Sequence, residues 1–301
     1  MKWMGGFSFM ETFLRITPEI YRLAVPFTGC WTGVTLVLGE ENVLVDTGAS
    51  AETVDSAIVP ALEAMGLSLK DITWLAMTHI HGDHVGGMAR LRELAPHLRV
   101  AAFVDSRDRL REPLVYSKAI RAKFPEHSAG APAVLEGCEA DLLLNDGDCV
   151  GALRLIHTPG HDTDSCCYYD ERSKTLITGD SLQLNGTVTQ GCALLMDANG
   201  YEKALHRLLG MEINNIVCGH PYLPLGPEAI GREASLAYLE YCHYCFARDE
   251  GFVQGMMAAG VEDPVTIAKA LIREVGGIEP AKLFLPLYTV TEMMNRRSNK
   301  Q

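Results

Sequence analysis

His79, His81, Asp83 and His84 fall within six residues, in the stretch Thr78-His79-Ile80-His81-Gly82-Asp83-His84. They follow the apolar run Ile72–Met77, which reads as a buried strand bounded by Lys70-Asp71 before it and Gly82 after it. Side chains two apart on extended chain share a face, and a turn after the strand brings Asp83 and His84 back toward the same volume. Imidazole and carboxylate are ligands of zinc and of other divalent transition metals. The alternative is a polar loop of solvated histidines, against which four ligand-type side chains in six residues weigh heavily.

Three later pieces have the same character. His157-Thr158-Pro159-Gly160-His161 closes the strand-like run Leu153–Ile156, Gly179-Asp180 closes Thr175–Ile177, and Gly219-His220 closes Ile216–Cys218. Each puts a ligand-type side chain at the C-terminal end of a short apolar strand, where loops commonly build sites. His79, His81, Asp83, His84, His161, Asp180 and His220 make seven, more than one tetrahedral zinc can use. Two metals sharing a carboxylate would use them all.

In that order, His-x-His-x-Asp-His and then His, Asp and His, the constellation resembles the metallo-β-lactamase-fold hydrolase superfamily over roughly residues 28–221. The resemblance implies an α/β fold, an αββα sandwich of two mixed β-sheets flanked by helices. It implies that His79, His81 and His161 hold one metal, that Asp83, His84 and His220 hold the other, and that Asp180 bridges them. Val45-Asp46-Thr47-Gly48 matches an early motif whose Asp supports a metal-bound imidazole from behind; a ligating ring needs its second N–H held by an acceptor. Zinc is the first choice of metal, with manganese or iron suited to the same N/O donors. In one place the chain departs from the pattern: after Pro159-Gly160 it reads His161-Asp162-Thr163-Asp164-Ser165 where the family often has His-Thr-x-Gly-Ser, adding charge expected at the rim of the site.

The elements that must carry these residues alternate strand and helix. Strands are expected at Ile20–Val25, Val34–Leu38, Asn42–Val45, Ile72–Met77 and Arg99–Val104, then at Leu142–Leu144, Val150–His157, Cys166–Tyr169, Lys174–Thr178 and Asn215–Gly219, the last core strand. Ser50 caps a helix over Ala51–Met65, a second runs from Met88 to Leu94, and a third spans Gly200–Leu209. Such alternation agrees with two sheets covered by helices. Beyond Pro221 the pattern is helical, over Pro227–Ala247, Asp263–Val275 and Pro280–Arg297, with Asp263 as cap and Pro264 at the first helical position. We place the metal-binding domain at residues 1–229 and a helical C-terminal appendage at 230–301. By analogy such an appendage touches substrate or a neighbouring subunit, which leaves a homodimer as an expectation.

His84 and His161 are 77 residues apart, and the intervening insertion, about residues 105–137, is locally basic in a chain of net charge −12. Between Asp105 and His127, Arg107, Arg109, Arg111, Lys118, Arg121 and Lys123 stand against four acids. It is either a solvated helical outgrowth or a lid bringing Tyr116, Arg121 or Lys123 to an anionic group on a substrate.

Composition narrows the class. Apolar content of 48% and charge of 21% suit a globular domain with a sizeable core. The net charge of −12 speaks against a broad phosphate-binding surface, so nucleic acid is not an expected partner. No apolar run is long enough to span a membrane, and Met1–Met10, followed at once by Glu11, lacks the core and cleavage site of a signal peptide. Nine cysteines without framework spacing read as reduced thiols in a cytoplasmic protein, and Cys242-His243-Tyr244-Cys245 reads as mid-helix packing. His97, His127 and His206 read as surface residues. Tyr222, two residues after His220, either projects into the site as a donor to an oxyanion or packs beneath the appendage.

The resemblance thus implies a dinuclear metal-dependent hydrolase. A metal-bridging hydroxide would cleave an ester, thioester or lactone of a small substrate, with Asp83, Asp180 and Tyr222 as catalytic candidates. Redox di-iron members replace the second His of the motif with Glu, here His81, and true β-lactamases generally lack the bridging Asp, here Asp180. A metal-dependent phosphodiesterase or ribonuclease, a mononuclear iron enzyme of the persulfide dioxygenase kind and a non-catalytic metal-binding protein are the alternatives.

Overall fold

The structure is a computed structural model that describes residues 12–298, so the Met1–Met10 stretch discussed above lies outside the described residues. Among the described residues thirteen strands form two sheets. The first holds β1 (Leu14–Arg15), β2 (Ile20–Phe27), β3 (Cys30–Val37), β4 (Val43–Val45), β5 (Trp74–Ala76), β6 (Arg99–Phe103) and β7 (Leu142–Leu144), side by side in chain order. Its first four strands are antiparallel and its last four parallel, β4 belonging to both sets. The second holds β8 (Cys149–Val150), β9 (Leu153–His157), β10 (Cys166–Asp170), β11 (Thr175–Gly179), β12 (Asn215–Tyr222) and β13 (Gly226–Ile230), again in order, with β11 and β12 the one parallel pair.

Why the strands read as nearly continuous apolar runs is plain from where alternate residues go. Val43, Val45, Trp74, Ala76, Ala101 and Phe103 face the second sheet, where they meet Leu153, Leu155, Cys166, Tyr168 and Ile177. Their neighbours Leu44, Leu75, Val100 and Ala102 face outward onto the helical segment 51–64 and the helix Met88–Leu94. On the other side Ile156, Cys167, Tyr169 and Leu176 face the helices Ala198–Leu209, Arg232–Ala258, Pro264–Glu274 and Phe284–Ser298. A strand buried on both faces has no polar side to show. The result is an αββα sandwich, with the C-terminal helices lying on the second sheet.

Three sequence expectations need correction. The run Val150–His157 is two strands, because Gly151, at φ +53°, turns the chain between β8 and β9. Asn215–Gly219 is not the last core strand, and the helix expected over Pro227–Ala247 starts only at Arg232: residues Gly226–Ile230 form β13, at the edge of the second sheet. Pro227 is tolerated there because an edge strand can leave a missing N–H facing outward. Elsewhere the local signals hold. The Ser50 side chain accepts from the Thr53 N–H, and Asp263 accepts from the N–H groups of Val265 and Thr266 ahead of Pro264. Cys242 and Cys245 are buried in the helix Arg232–Ala258, where burial pushes both thiols up, Cys245 to about 12. Among the described residues no helix is long and apolar enough to cross a membrane.

Candidate metal centre

Five strands deliver the site at one end of the sandwich. Asp46 follows β4, His79 and His81 follow β5, His161 lies beyond β9, Asp180 follows β11 directly, and His220 lies near the end of β12. Gly82–Val85 is a single helical turn that swings Asp83 and His84 back over the strand end. The ligand atoms of His79, His81 and His161 lie within 4.8 Å of one another, as do those of Asp83, His84 and His220, and those of His79, His84 and Asp180. Asp180 reaches both triads: its Oδ2 is 3.3 Å from His161 Nε2 and 3.4 Å from His220 Nε2, and its Oδ1 is 3.3 Å from His84 Nε2. All seven ligand-type residues converge.

Each ring is oriented by its other nitrogen. His84 Nδ1 bonds Asp46 Oδ2 at 2.7 Å, His220 Nδ1 bonds the Trp31 carbonyl at 2.6 Å, and His161 Nδ1 bonds the Leu194 carbonyl at 3.2 Å. His79 Nδ1 is 3.1 Å from Thr78 Oγ1, which itself donates to Asp46 Oδ2 at 2.8 Å. Those bonds leave Nε2 of four histidines for a cation. His81 is the exception: its Nε2 is 3.2 Å from Asp162 Oδ2, so it presents Nδ1, 2.9 Å from His161 Nε2. Fixing the tautomer in this way is what a metal-ligating imidazole requires.

Do these residues fit a metal? The buried atoms His79 Nε2, His84 Nε2 and Asp180 Oδ1 have no hydrogen-bond partner, although buried polar atoms are ordinarily paired. They face a common volume. Gly219 keeps that volume open, since a Cβ there would stand 2.5 Å from Asp180 Oδ1 and 2.9 Å from His84 Cε1. Charge tells the same story. Burial pulls His84 down, but Asp180, Asp46 and Asp83 push it up to about 10; His220 is likewise raised by Asp180 against burial. Burial takes His161 down to about 4 and His79 well below its usual range. Burial raises Asp83 and Asp180, yet the neighbouring imidazoles hold both carboxyls ionised. A cluster this acidic keeps protons on two imidazoles that a pair of cations would displace. The donor set fits two divalent ions.

Asp162, the departure from the expected pattern, turns inward rather than to the rim. It is buried, and beyond His81 it accepts from the Tyr116 hydroxyl and from Arg109 Nη1 at 2.9 Å. Arg109 Nη1 also stands 2.9 Å from Asp164 Oδ1, and Asp164 Oδ2 accepts from Ser106 at 2.8 Å. Burial, then the charge of Asp162, pushes Asp164 up to about 6. Ser106, Arg109 and Tyr116 all come from the insertion, whose helices Arg107–Arg111 and Pro113–Arg121 are thereby tied through Asp162 to the His81 ring.

A cavity of about 150 Å³ opens onto His81, Asp83, His161, Asp180 and His220. Ser117, Ile120 and Arg121 of the insertion line it, with Phe284 and Leu285 of the C-terminal helix and Thr187, Thr189 and Gln190 of the loop after Asp180. Two expected substrate contacts are placed elsewhere. Tyr116 is committed to Asp162, and Lys123 pairs with Glu292 at 3.9 Å and lies over the Tyr288 ring. Tyr222 is also not at the cavity: it is fully buried behind Asp180, its hydroxyl accepting from Gln183 Nε2 at 2.8 Å while its ring packs under the C-terminal helices. Gln183 went unnoticed in the sequence. Its Nε2 also donates to the Asp180 carbonyl, and its Oε1 accepts from Leu194 N–H, so it braces both Asp180 and the loop that holds His161.

The model of the metallo-β-lactamase superfamily matches residues 32–220, from β3 to the final ligand. The chain belongs to the metallo-β-lactamase superfamily. A metallo-β-lactamase family protein of Thermus thermophilus superposes with a TM-score of 0.72 at 22% identity, covering 94% of this chain and 95% of that one, which shows the shared fold. The uncharacterized protein YobT of Bacillus subtilis (strain 168) is 32% identical over 159 residues, covering 50% of this chain and 61% of YobT. An atrochrysone carboxyl ACP thioesterase of Aspergillus terreus is 26% identical over 178 residues, covering 58% of this chain and 47% of that protein. The matched region thus spans between about half and three-fifths of these two relatives.

Proposed function

We propose that this superfamily member is a dinuclear metal-dependent hydrolase acting on an ester, thioester or lactone of a small substrate. The observation that carries it is the pair of triads joined through Asp180 beneath an open cavity. The likeness to a protein named as a thioesterase supports acyl chemistry.

Two bound divalent ions, zinc first among them, would polarise a carbonyl and make a water nucleophilic near neutral pH. This chain's residues do the rest. His79, His81 and His161 would hold one ion and Asp83, His84 and His220 the other, with Asp180 in reach of both triads. Asp83 lines the cavity; its Oδ2 faces His220 Nε2 at 3.1 Å, and its Oδ1 makes no hydrogen bond among the described residues. We assign Asp83 Oδ1 to taking the proton of the attacking water and passing it to the leaving group. Apolar walls from Phe27, Ile80, Leu194, Met196 and Phe284 exclude bulk water from the acyl group. Net charge of −12 makes a small molecule a better partner than nucleic acid. Metal analysis together with a panel of thioester, lactone, β-lactam and phosphodiester substrates tests the proposal. Turnover of acyl substrates that a chelator abolishes and added metal restores is the expected result; turnover confined to the phosphodiester would refute it.

A further inference from the structure

Arg121 is the one arginine or lysine among the described residues that lines the cavity. It closes the helix Pro113–Arg121, and a single nitrogen anchors it: Nη1 bonds the Ser117 carbonyl at 3.1 Å and Ser117 Oγ at 2.7 Å. No carboxylate pairs with it, and Nε and Nη2 hold no partner among the described residues. The other inward cation of the insertion is different, since Arg109 is saturated by Asp162, Thr163 and Asp164. Arg121 is only half buried, yet burial pulls its guanidinium down, and Asp83 is the carboxylate whose charge reaches it. A partly desolvated guanidinium with no carboxylate in contact gains from a partner that completes it. The Nε–Nη2 edge is the side of the fork that takes a carboxylate through two parallel bonds. The Phe284 ring centroid is 5.5 Å from the guanidinium carbon, and Phe27, Ile80, Ile120, Met196 and Leu285 add apolar wall to a cavity whose neutral polar lining side chains are Ser117, Thr187, Thr189 and Gln190.

We infer that Arg121 receives a carboxylate carried by the substrate away from the scissile bond, so that the preferred substrate is an acyl ester with an apolar spacer and an anionic far end. This rests on the hydrolase function proposed above. Selectivity then comes from the insertion helix.

The test uses the metal-loaded full chain and p-nitrophenyl half-esters of dicarboxylic acids from succinate to suberate, each beside the neutral p-nitrophenyl ester of the same carbon count. Wild type should show its lowest KM at one half-ester length, which reports the reach from metals to guanidinium. Arg121→Ala should raise that KM about tenfold to a hundredfold, the worth of a charge-assisted bond, with neutral esters little changed. Arg121→Lys should recover part of the loss, and Arg121→Gln little of it. Equal changes for both ester classes, or a wild type indifferent to the carboxylate, overturn the inference. Titration calorimetry with the matching half-amides, against neutral amides, separates it from the hydrolase proposal. If no ester is cleaved, tighter binding of the half-amides that Arg121→Ala abolishes upholds the anion site, and identical binding by both proteins refutes it. Metal content and the melting curve of each variant show that the centre and fold are retained.

Discussion

Replacing Asp46 by Asn removes a single charge behind the metal centre without changing shape. Asp46 sits at φ +61°, a conformation that Asn tolerates and Ala would resist. The carboxylate accepts three bonds: from Thr78 N–H at 2.9 Å on Oδ1, and from Thr78 Oγ1 at 2.8 Å and His84 Nδ1 at 2.7 Å on Oδ2. An amide offers only one acceptor oxygen. If that oxygen stays with Thr78 N–H, an NH₂ faces His84, whose Nδ1 must then accept, moving the ring proton to Nε2, the atom needed for a cation. Second-sphere changes of this kind weaken metal affinity about tenfold to a hundredfold, or about 1.4–2.7 kcal/mol. If the amide turns the other way, two donors meet at Thr78, and the fold loses about 1–3 kcal/mol instead. Stepwise competition with a chromophoric chelator should show the loss on the metal held by Asp83, His84 and His220, and imidazole nitrogen NMR should show the His84 tautomer. Unchanged affinity for both metals together with unchanged urea stability would falsify the proton assignment.

Further expectations follow from the same contacts. Asp180→Asn should lower metal content from two ions toward one in elemental analysis and nearly abolish turnover, while circular dichroism stays native. Arg109→Met leaves Asp162 and Asp164 buried without their cation; with Arg109 about a quarter exposed, the loss should sit near the lower end of about 3–5 kcal/mol in urea unfolding, and Asp164→Asn in the same chain should recover much of it. Asp249, buried beside Arg248, is pushed up to about 6, above its unfolded value. The folded state therefore holds the proton more tightly, so stability is present below about pH 4 and falls by about 3 kcal/mol as pH rises through 6. Asp249→Asn should flatten that slope, and an identical pH profile for both proteins would contradict it.

What the sequence disclosed depended on how local the signal was. The seven ligand-type residues that converge could be read because each stands at a strand end in a short, ordered motif, and Asp46 because it lies in one too. The inner face of each strand could not be told from the outer, since Val43, Leu44 and Val45 are equally apolar although they enter different cores. β13 was missed because Pro227 is as good an opening for a helix as it is for an edge strand. The His81–Asp162–Arg109 chain left no local trace: Arg109 lies 53 residues from Asp162, and only the docked insertion brings them together. The carbonyls of Trp31 and Leu194, which orient His220 and His161, carry no side-chain signature at all.

The helix Phe284–Ser298 has a consequence for how the protein is made. Thr289 Oγ1 accepts from Leu195 N–H at 2.9 Å and donates to the Ala193 carbonyl at 2.6 Å, gripping the loop on either side of Leu194. Leu194 in turn fixes His161, so a ligand ring is held by a segment that leaves the ribosome after every metal ligand has emerged. During synthesis the two sheets can collapse first, with His161 still free to turn. Metal captured by the nascent chain would then be held by an unfinished triad and exchange readily. Docking of the helix Phe284–Ser298 then completes the orientation of His161, so this ring takes its final place after the strands that carry the rest of the cluster have been made.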